Sequence, residues 1–398
     1  MPNIEPGAAA PRFEQLMARA EALQPVLRER APRTEELRRL PDETIADLHQ
    51  SGLFRMLQPA RVGGSELPYR ALYELVSVIG EGCGSTAWVL ANLAAHHWLL
   101  AMWPQKAQDE IWGETPDNLI GSALIFPRGR AERVPGGYRL TGRWPFSSGI
   151  DCARWTMIGA LCIDEEIGTS EPRMFLLPAS DYRIIDTWQV IGLSGTGSKD
   201  VEVGGAFVPQ HRTIAAAEIT GGPNPGSTVN PAPLYRLPAI SLFAFAIAGV
   251  SLGIARGTVR DYIATTRTRR SEYSGKNLAD FSTVQVRLAE AAALVDAAEA
   301  IMLRDCEEAM RVTEAGVVPS LEQKARYRRD GAYAATLCTR AVDLLFTAAG
   351  GGGIYERNPI QRAFRDVHAA NAHYVLSWTV NAAIYGRVAL GLPPDAPL

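Results

Sequence analysis

The stretch Gly142-Arg143-Trp144-Pro145-Phe146-Ser147-Ser148-Gly149 sets two aromatic rings beside two hydroxyls and ends on a glycine. Aromatic side chains can cover a flat ring, and hydroxyls or backbone N–H groups can hydrogen-bond its polar edge. Taken alone, the same residues also make an ordinary turn that happens to hold Trp and Phe. What surrounds the stretch decides between these readings.

It follows the run YRLTG and sits among LIGSALIF, RWTMIGAL, RMFLLP, YRIID and DVEVGGAFVP. These segments are short, rich in apolar or β-branched residues and punctuated by Gly, Pro and Asp, which predicts six or more strands. They leave no room for crossover helices, so an antiparallel barrel or sandwich is expected over residues 119–232. The connection GGPNPGSTVNPAP closes that region at 221–233. Residues 1–118 carry helical patterns: 12–30, a start at Pro41-Asp42-Glu43, 67–79 after Gly63-Gly64, and a long buried run 85–112 broken at Pro104. Beyond 233, patterns over 237–270, 282–312, 321–349 and 361–388 predict a four-helix bundle to residue 398. The expected class is therefore α+β, mostly α, in the order helical, β, helical.

Composition sets limits. With 398 residues, 47% hydrophobic and 21% charged, the chain can bury a large core. A net charge of −3, with Arg interleaved among Glu and Asp, gives no reason to expect nucleic acid. Five cysteines, far apart and without Cys-x-x-Cys spacing, argue against disulfides or zinc and suggest a cytoplasmic protein. The opening MPNIEPGAAAPRFEQ lacks the pattern of a secretion signal. Residues 82–105 and 237–255 hold no charged side chain, but Asn92, His96, His97, Pro104, Pro238, Gly249, Ser251 and Gly253 interrupt them. Both are expected as helices buried in protein, not membrane spans.

Familiar signatures are absent. There is no Gly-x-Gly-x-x-Gly after a strand and no phosphate loop. Gly249-Val250-Ser251-Leu252-Gly253 fits the hydrolase pattern G-x-S-x-G, but inside an apolar helical run and not at a strand-to-helix elbow. None of the six histidines has chelating spacing. His368 and His373, five apart, would stand about 140° apart on a helix, and no metal is expected.

Four separated segments together resemble the acyl-CoA dehydrogenase superfamily. Trp144-Pro145-Phe146-Ser147-Ser148-Gly149 resembles its flavin-edge motif, and Gly192-Leu193-Ser194-Gly195-Thr196-Gly197-Ser198 before VEVGGAFVP its second β-domain signature. Arg270, ahead of Ser274-Gly275-Lys276, resembles an arginine that reaches flavin phosphate across a subunit interface; Arg269 is the alternative. Ala349-Gly350-Gly351-Gly352-Gly353-Ile354-Tyr355 is similar to the family's glycine loop. The resemblance departs at the dehydrogenase base. Where a Glu is usual, Arg365-Asp366 is followed by His368, His373 and Tyr374.

That departure, with Gly84-Ser85-Thr86-Ala87-Trp88-Val89 and His96 beyond it, resembles the two-component, group D flavin monooxygenases. The resemblance implies reduced flavin (FMNH2 or FADH2) delivered by a separate NAD(P)H-flavin reductase, with O2 as co-substrate adding at flavin C4a as a hydroperoxide. It implies a small aromatic substrate, phenolic or indole-like, and a homotetramer. Trp88, Trp144, Phe146, Ser147, Ser148, Gly149, Ser198, Arg270, Gly350, Gly351 and His373 would hold the flavin. His96, Asn92, His368, Phe243 and Tyr374 would line the substrate side. Catalysis would fall to His373, as proton acceptor or peroxide-steering group, with His96, Ser147 and Ser148. The rivals are an acyl-CoA dehydrogenase or oxidase with another base, an N-hydroxylating (amino-sugar) flavin monooxygenase, and an idle binding protein.

Overall fold

The computed structural model describes residues 10–164 and 169–398. The first nine residues of the segment read for a secretion signal lie outside them. Five helices come first: α1 (Phe13–Leu37), α2 (Asp42–Ser51), α3 (Arg70–Gly80), α4 (Gly84–Leu100) and α5 (Gln105–Trp112). Pro104 stands just before α5, so the long apolar run breaks where its proline demands.

Eight strands follow: β1 (Ile120–Ala123), β2 (Gly129–Val134), β3 (Gly137–Ser147), β4 (Trp155–Asp164), β5 (Thr169–Pro178), β6 (Arg183–Ile185), β7 (Lys199–Pro209) and β8 (Thr213–Ala215). They form one sheet in the order β6-β7-β3-β2-β4-β5-β8, with β1 beside β4. Two pairings depart from the antiparallel expectation, because β1 and β2 both run parallel to β4. The β2–β3 hairpin reverses the chain, and the turn after Ser147 reverses it again. Strand β3 thus does the returning that a crossover helix would otherwise do. Tyr138, Leu140, Trp144, Phe175, Leu177 and Val201 fill the sheet's own core.

The last helices are α6 (Ala239–Thr266), α7 (Ser282–Glu314), α8 (Leu321–Ala349), α9 (Pro359–Asn371) and α10 (Trp378–Ala389). The single helix expected over 361–388 is two, separated by residues 372–377. His373 lies in that break, and its Nδ1 accepts the Val375 N–H at 3.3 Å, turning the chain after α9.

The early and late helices share one apolar core. Along α6, Gly249, Gly253 and Gly257 recur every four residues and so lie on one face. A methyl group on Gly249 would strike the Tyr73 backbone at 2.9 Å, and one on Gly253 the Ser77 carbonyl at 2.2 Å. The G-x-S-x-G match is thus a seam along which α3 and α6 touch backbone to backbone. Every residue of α4 is buried, as is most of the apolar window in α6.

Candidate active site

Trp88, Asn92 and His96 are spaced by four on α4, so they share a face, and contacts show that this face meets the sheet. Trp88 Nε1–H donates to Ser148 Oγ at 2.9 Å, and His96 Nδ1 meets the Ile120 carbonyl of β1 at 2.5 Å. Asn92 bonds back to the Trp88 carbonyl within its own helix. Gly149 lies beneath the same helix. Its φ of +67° suits glycine, and a Cβ there would come within 2.9 Å of Val89.

The Ser148 hydroxyl contacts Ser198 Oγ at 2.8 Å, and Ser198 contacts Thr196 Oγ1 at 2.7 Å. Thr196 and Ser198 belong to loop 192–198, which Asp366 of α9 anchors. Its Oδ1 accepts the Leu193 N–H at 2.6 Å. Burial pushes the Asp366 carboxyl up to about 6, against the lowering effect of that N–H bond. Thr196 and Asp366 both lie within the quoted motifs, but nothing in the sequence marks either as a site residue. Their roles depend on contacts between distant segments.

His373 faces Trp88 edge-on, with ring centroids 5.7 Å apart. Desolvation lowers both His373 and His96 to about 4, so both are neutral near pH 7. Their tautomers are opposite. His96 Nδ1 faces a carbonyl and must carry the proton, which leaves Nε2 as a bare acceptor that is buried and unpartnered. His373 Nδ1 accepts the Val375 N–H, so its proton sits on Nε2. Proton acceptance at Nε2, one of the two roles expected of His373, does not fit this tautomer; hydrogen-bond donation does.

Trp144 departs further from expectation. It is fully buried in the sheet's core with Nε1 bonded to the Gly159 carbonyl, so its ring is not offered to a cofactor. A bulge between Trp144 and Ser147 breaks the alternation of β3. Beyond Trp144, Phe146 takes a positive φ of 69° and lies 59% exposed, edge-on to Trp188. Ser147 turns toward Gly121, and its buried Oγ has no partner. Of the two serines, only Ser148 joins the Trp88 group.

His368 is exposed and bonds Asp343 at 2.8 Å, and Tyr374 is exposed beside Arg328. Phe243 is half-buried against the helical core. Among the described residues, none of these three hydrogen-bonds or stacks with His96 or Trp88. Arg269 donates to the Ala349 carbonyl and lies against Gly352, whereas the exposed Arg270 bonds its own hairpin at Gly275. Arg270 is thus the better placed to reach outward. Gly350 and Gly351 present backbone to open space. A small cleft lined by Arg39, Asp42, Asp151 and Cys152 reaches Gly149 and Thr196 but includes none of Trp88, His96 or His373.

An indole and an imidazole set edge-on, a buried hydroxyl chain, an exposed phenyl ring, an outward arginine and a bare glycine loop suit a flat ring carrying a polar edge and a phosphate tail. Residues of these kinds would suit a flavin, and the comparisons with known proteins make the class a flavoprotein. The acyl-CoA dehydrogenase N-terminal domain profile matches residues 13–114, and the C-terminal domain profile matches 245–378. The oxygenase component of the FADH(2)-dependent resorcinol hydroxylase of Rhizobium sp. (strain MTP-10005) is 36% identical over 96% of this chain and 95% of its own length. The crystal structure of the HsaA monooxygenase from M. tuberculosis superposes with a TM-score of 0.91 at 35% identity, covering 97% of this chain and 100% of that one. XiaF from Streptomyces sp., solved with FADH2 and glycerol, gives 0.89 at 31% identity, covering 97% of each chain. The chain belongs to the acyl-CoA dehydrogenase family, among its flavin-dependent monooxygenases that serve as oxygenase components. Reduced flavin is its cofactor.

Proposed function

We propose that this chain hydroxylates a small phenolic or indole-like ring held between His96 and His373, with reduced flavin supplied by a separate reductase. The opposite tautomers of the two histidines carry this reading. The bare Nε2 of His96 can accept the O–H of a phenol or the N–H of an indole. The Nε2–H of His373 can donate to the oxygen being delivered. Bound reduced flavin supplies the electrons that activate O2. With its affinity for protons depressed by burial, His96 orients the substrate hydroxyl while staying neutral, and draws on its proton only as the ring is attacked. The apolar shell of α4 excludes water from this exchange.

The named substrate of the resorcinol hydroxylase relative favours phenols among these classes. Ser148 would meet the flavin edge, Phe146 its ring, and Arg270 with the Gly350–Gly351 loop its phosphate, from a neighbouring subunit of a homotetramer. Exposed Phe146, Ile191, Tyr273 and Ile354 support such an assembly. Free cysteines throughout suit a cytoplasmic setting.

The test supplies FMN or FAD, a flavin reductase with NADH, and 18O2 to the purified chain with a panel of phenols, indoles and acyl-CoA thioesters. The expected product is a hydroxylated phenol carrying one labelled atom. Oxidation of an acyl-CoA by oxidised flavin, with no aromatic product, would overturn the reading. Light scattering checks the tetramer.

A further inference from the structure

Three hydroxyl protons serve three oxygen–oxygen contacts beside Trp88. Ser148 to Ser198 is 2.8 Å, Ser198 to Thr196 is 2.7 Å, and Thr196 Oγ1 to the Leu193 carbonyl is 2.8 Å. A carbonyl only accepts, so Thr196 must donate to Leu193. Ser198 then donates to Thr196, and Ser148 to Ser198. The opposite order leaves two bare oxygens 2.8 Å apart at Thr196 and Leu193. At the other end, the Trp88 N–H donates into Ser148. All three hydroxyl residues are buried, so water does not compete for these protons.

Ser148 therefore spends its one proton on Ser198 and one lone pair on Trp88. What it offers a neighbour is an acceptor. We propose that Thr196 and Ser198 are positioning residues that fix Ser148 in this polarity, and that the site thereby selects dihydroflavin over oxidised flavin. The N5 of a dihydroflavin carries a proton to donate, and the N5 of oxidised flavin presents a lone pair. Selection of this kind suits a chain that must draw reduced flavin from a pool containing both forms. The inference rests on the reading that Ser148 meets the flavin edge, and the test separates the two.

Dissociation constants for oxidised FMN and, anaerobically, for reduced FMN are measured by titration of the full-length protein. In Thr196→Val the chain loses its terminal acceptor. Ser198 can then donate back to Ser148, which frees the Ser148 proton for an oxidised ring. The preference for reduced flavin should fall about tenfold, the size of one net hydrogen bond, and Thr196→Ser should restore it. Ser198→Ala should erode the preference likewise, and stands in if the valine variant does not fold. An unchanged ratio, or equal weakening of both forms, overturns the proposal. Ser148→Ala tests the underlying reading: if neither affinity moves, Ser148 is not at the flavin. If Ser148→Ala shifts the ratio and Thr196→Val does not, the relay alone is wrong.

Discussion

In the proposed site two histidines, each neutral and each held in a different tautomer, would divide the work between an acceptor and a donor. His373→Ala should leave flavin affinity within about threefold and cut product formed per flavin oxidised by tenfold or more, the balance appearing as hydrogen peroxide. Peroxide and product assays on the same sample give that ratio. Because both imidazoles titrate at about 4, hydroxylation should stay level from about pH 8 down to about pH 5 and fall only below that, as His96 Nε2 takes a proton. A falling limb centred near pH 6.5 would mean that neither ring is desolvated as described. The histidines were legible in the sequence by position, through the missing glutamate and the spacing from Trp88. Their tautomers were not, since a carbonyl on β1 and an N–H two residues on decide them. Trp144 was misread for a local reason: the bulge that follows it turns Phe146 outward and leaves the indole in the sheet. Trp144→Phe should therefore cost about 1 kcal/mol of stability through the lost Gly159 bond and leave flavin affinity unchanged, as thermal melts and flavin titration would show.

Among the elements, α4 and loop 192–198 organise the site, and α9 fixes the loop through Asp366. Asp366→Ala strands the buried Leu193 N–H, which should cost about 1–3 kcal/mol and weaken flavin binding. Asp366→Asn retains an acceptor and should be milder by both calorimetry and titration. Most of these elements could be read from the sequence, since long apolar helices broken at Pro104 and short β-branched runs carry strong local signals. Strand β2 (Gly129–Val134) was missed because Arg130, Glu132 and Arg133 give it a polar face with little apolar content. The break between α9 and α10 was also missed. Neither Pro nor Gly marks residues 372–377, and the turn is held by the side chain of His373. The parallel pairing of β2 with β4 depends on which strands become neighbours, and no short segment records that.

For the molecule as a whole, buried neutral histidines make stability depend on pH. Folded His96 and His97 take up protons only at about 4 and about 3, whereas in the unfolded chain they do so near 6.5. Stability from these groups is therefore present above about pH 6.5 and is lost as pH falls toward 4. Asp366 and Asp305, both raised to about 6, act oppositely: the folded state binds their protons first as pH falls. His97→Gln isolates one contribution. It should make the drop in stability between pH 7.5 and 5 smaller by about 2 kcal/mol, measured by denaturant unfolding at the two pH values. The seam between α3 and α6 bears on how the chain reaches this state. Tyr73 and Ser77 meet Gly249 and Gly253, partners that leave the ribosome only after the whole sheet has been made. Until then α4, buried along its whole length in the finished fold, lacks the cover that α6 gives it, though α3 and β1 already pack on it. The early helices bury their α6-facing surface only once residues 239–266 are made, and the nascent chain keeps that apolar surface open while the sheet is translated. Production in cells thus depends on elongation speed and chaperone supply as much as on the stability of the finished protein.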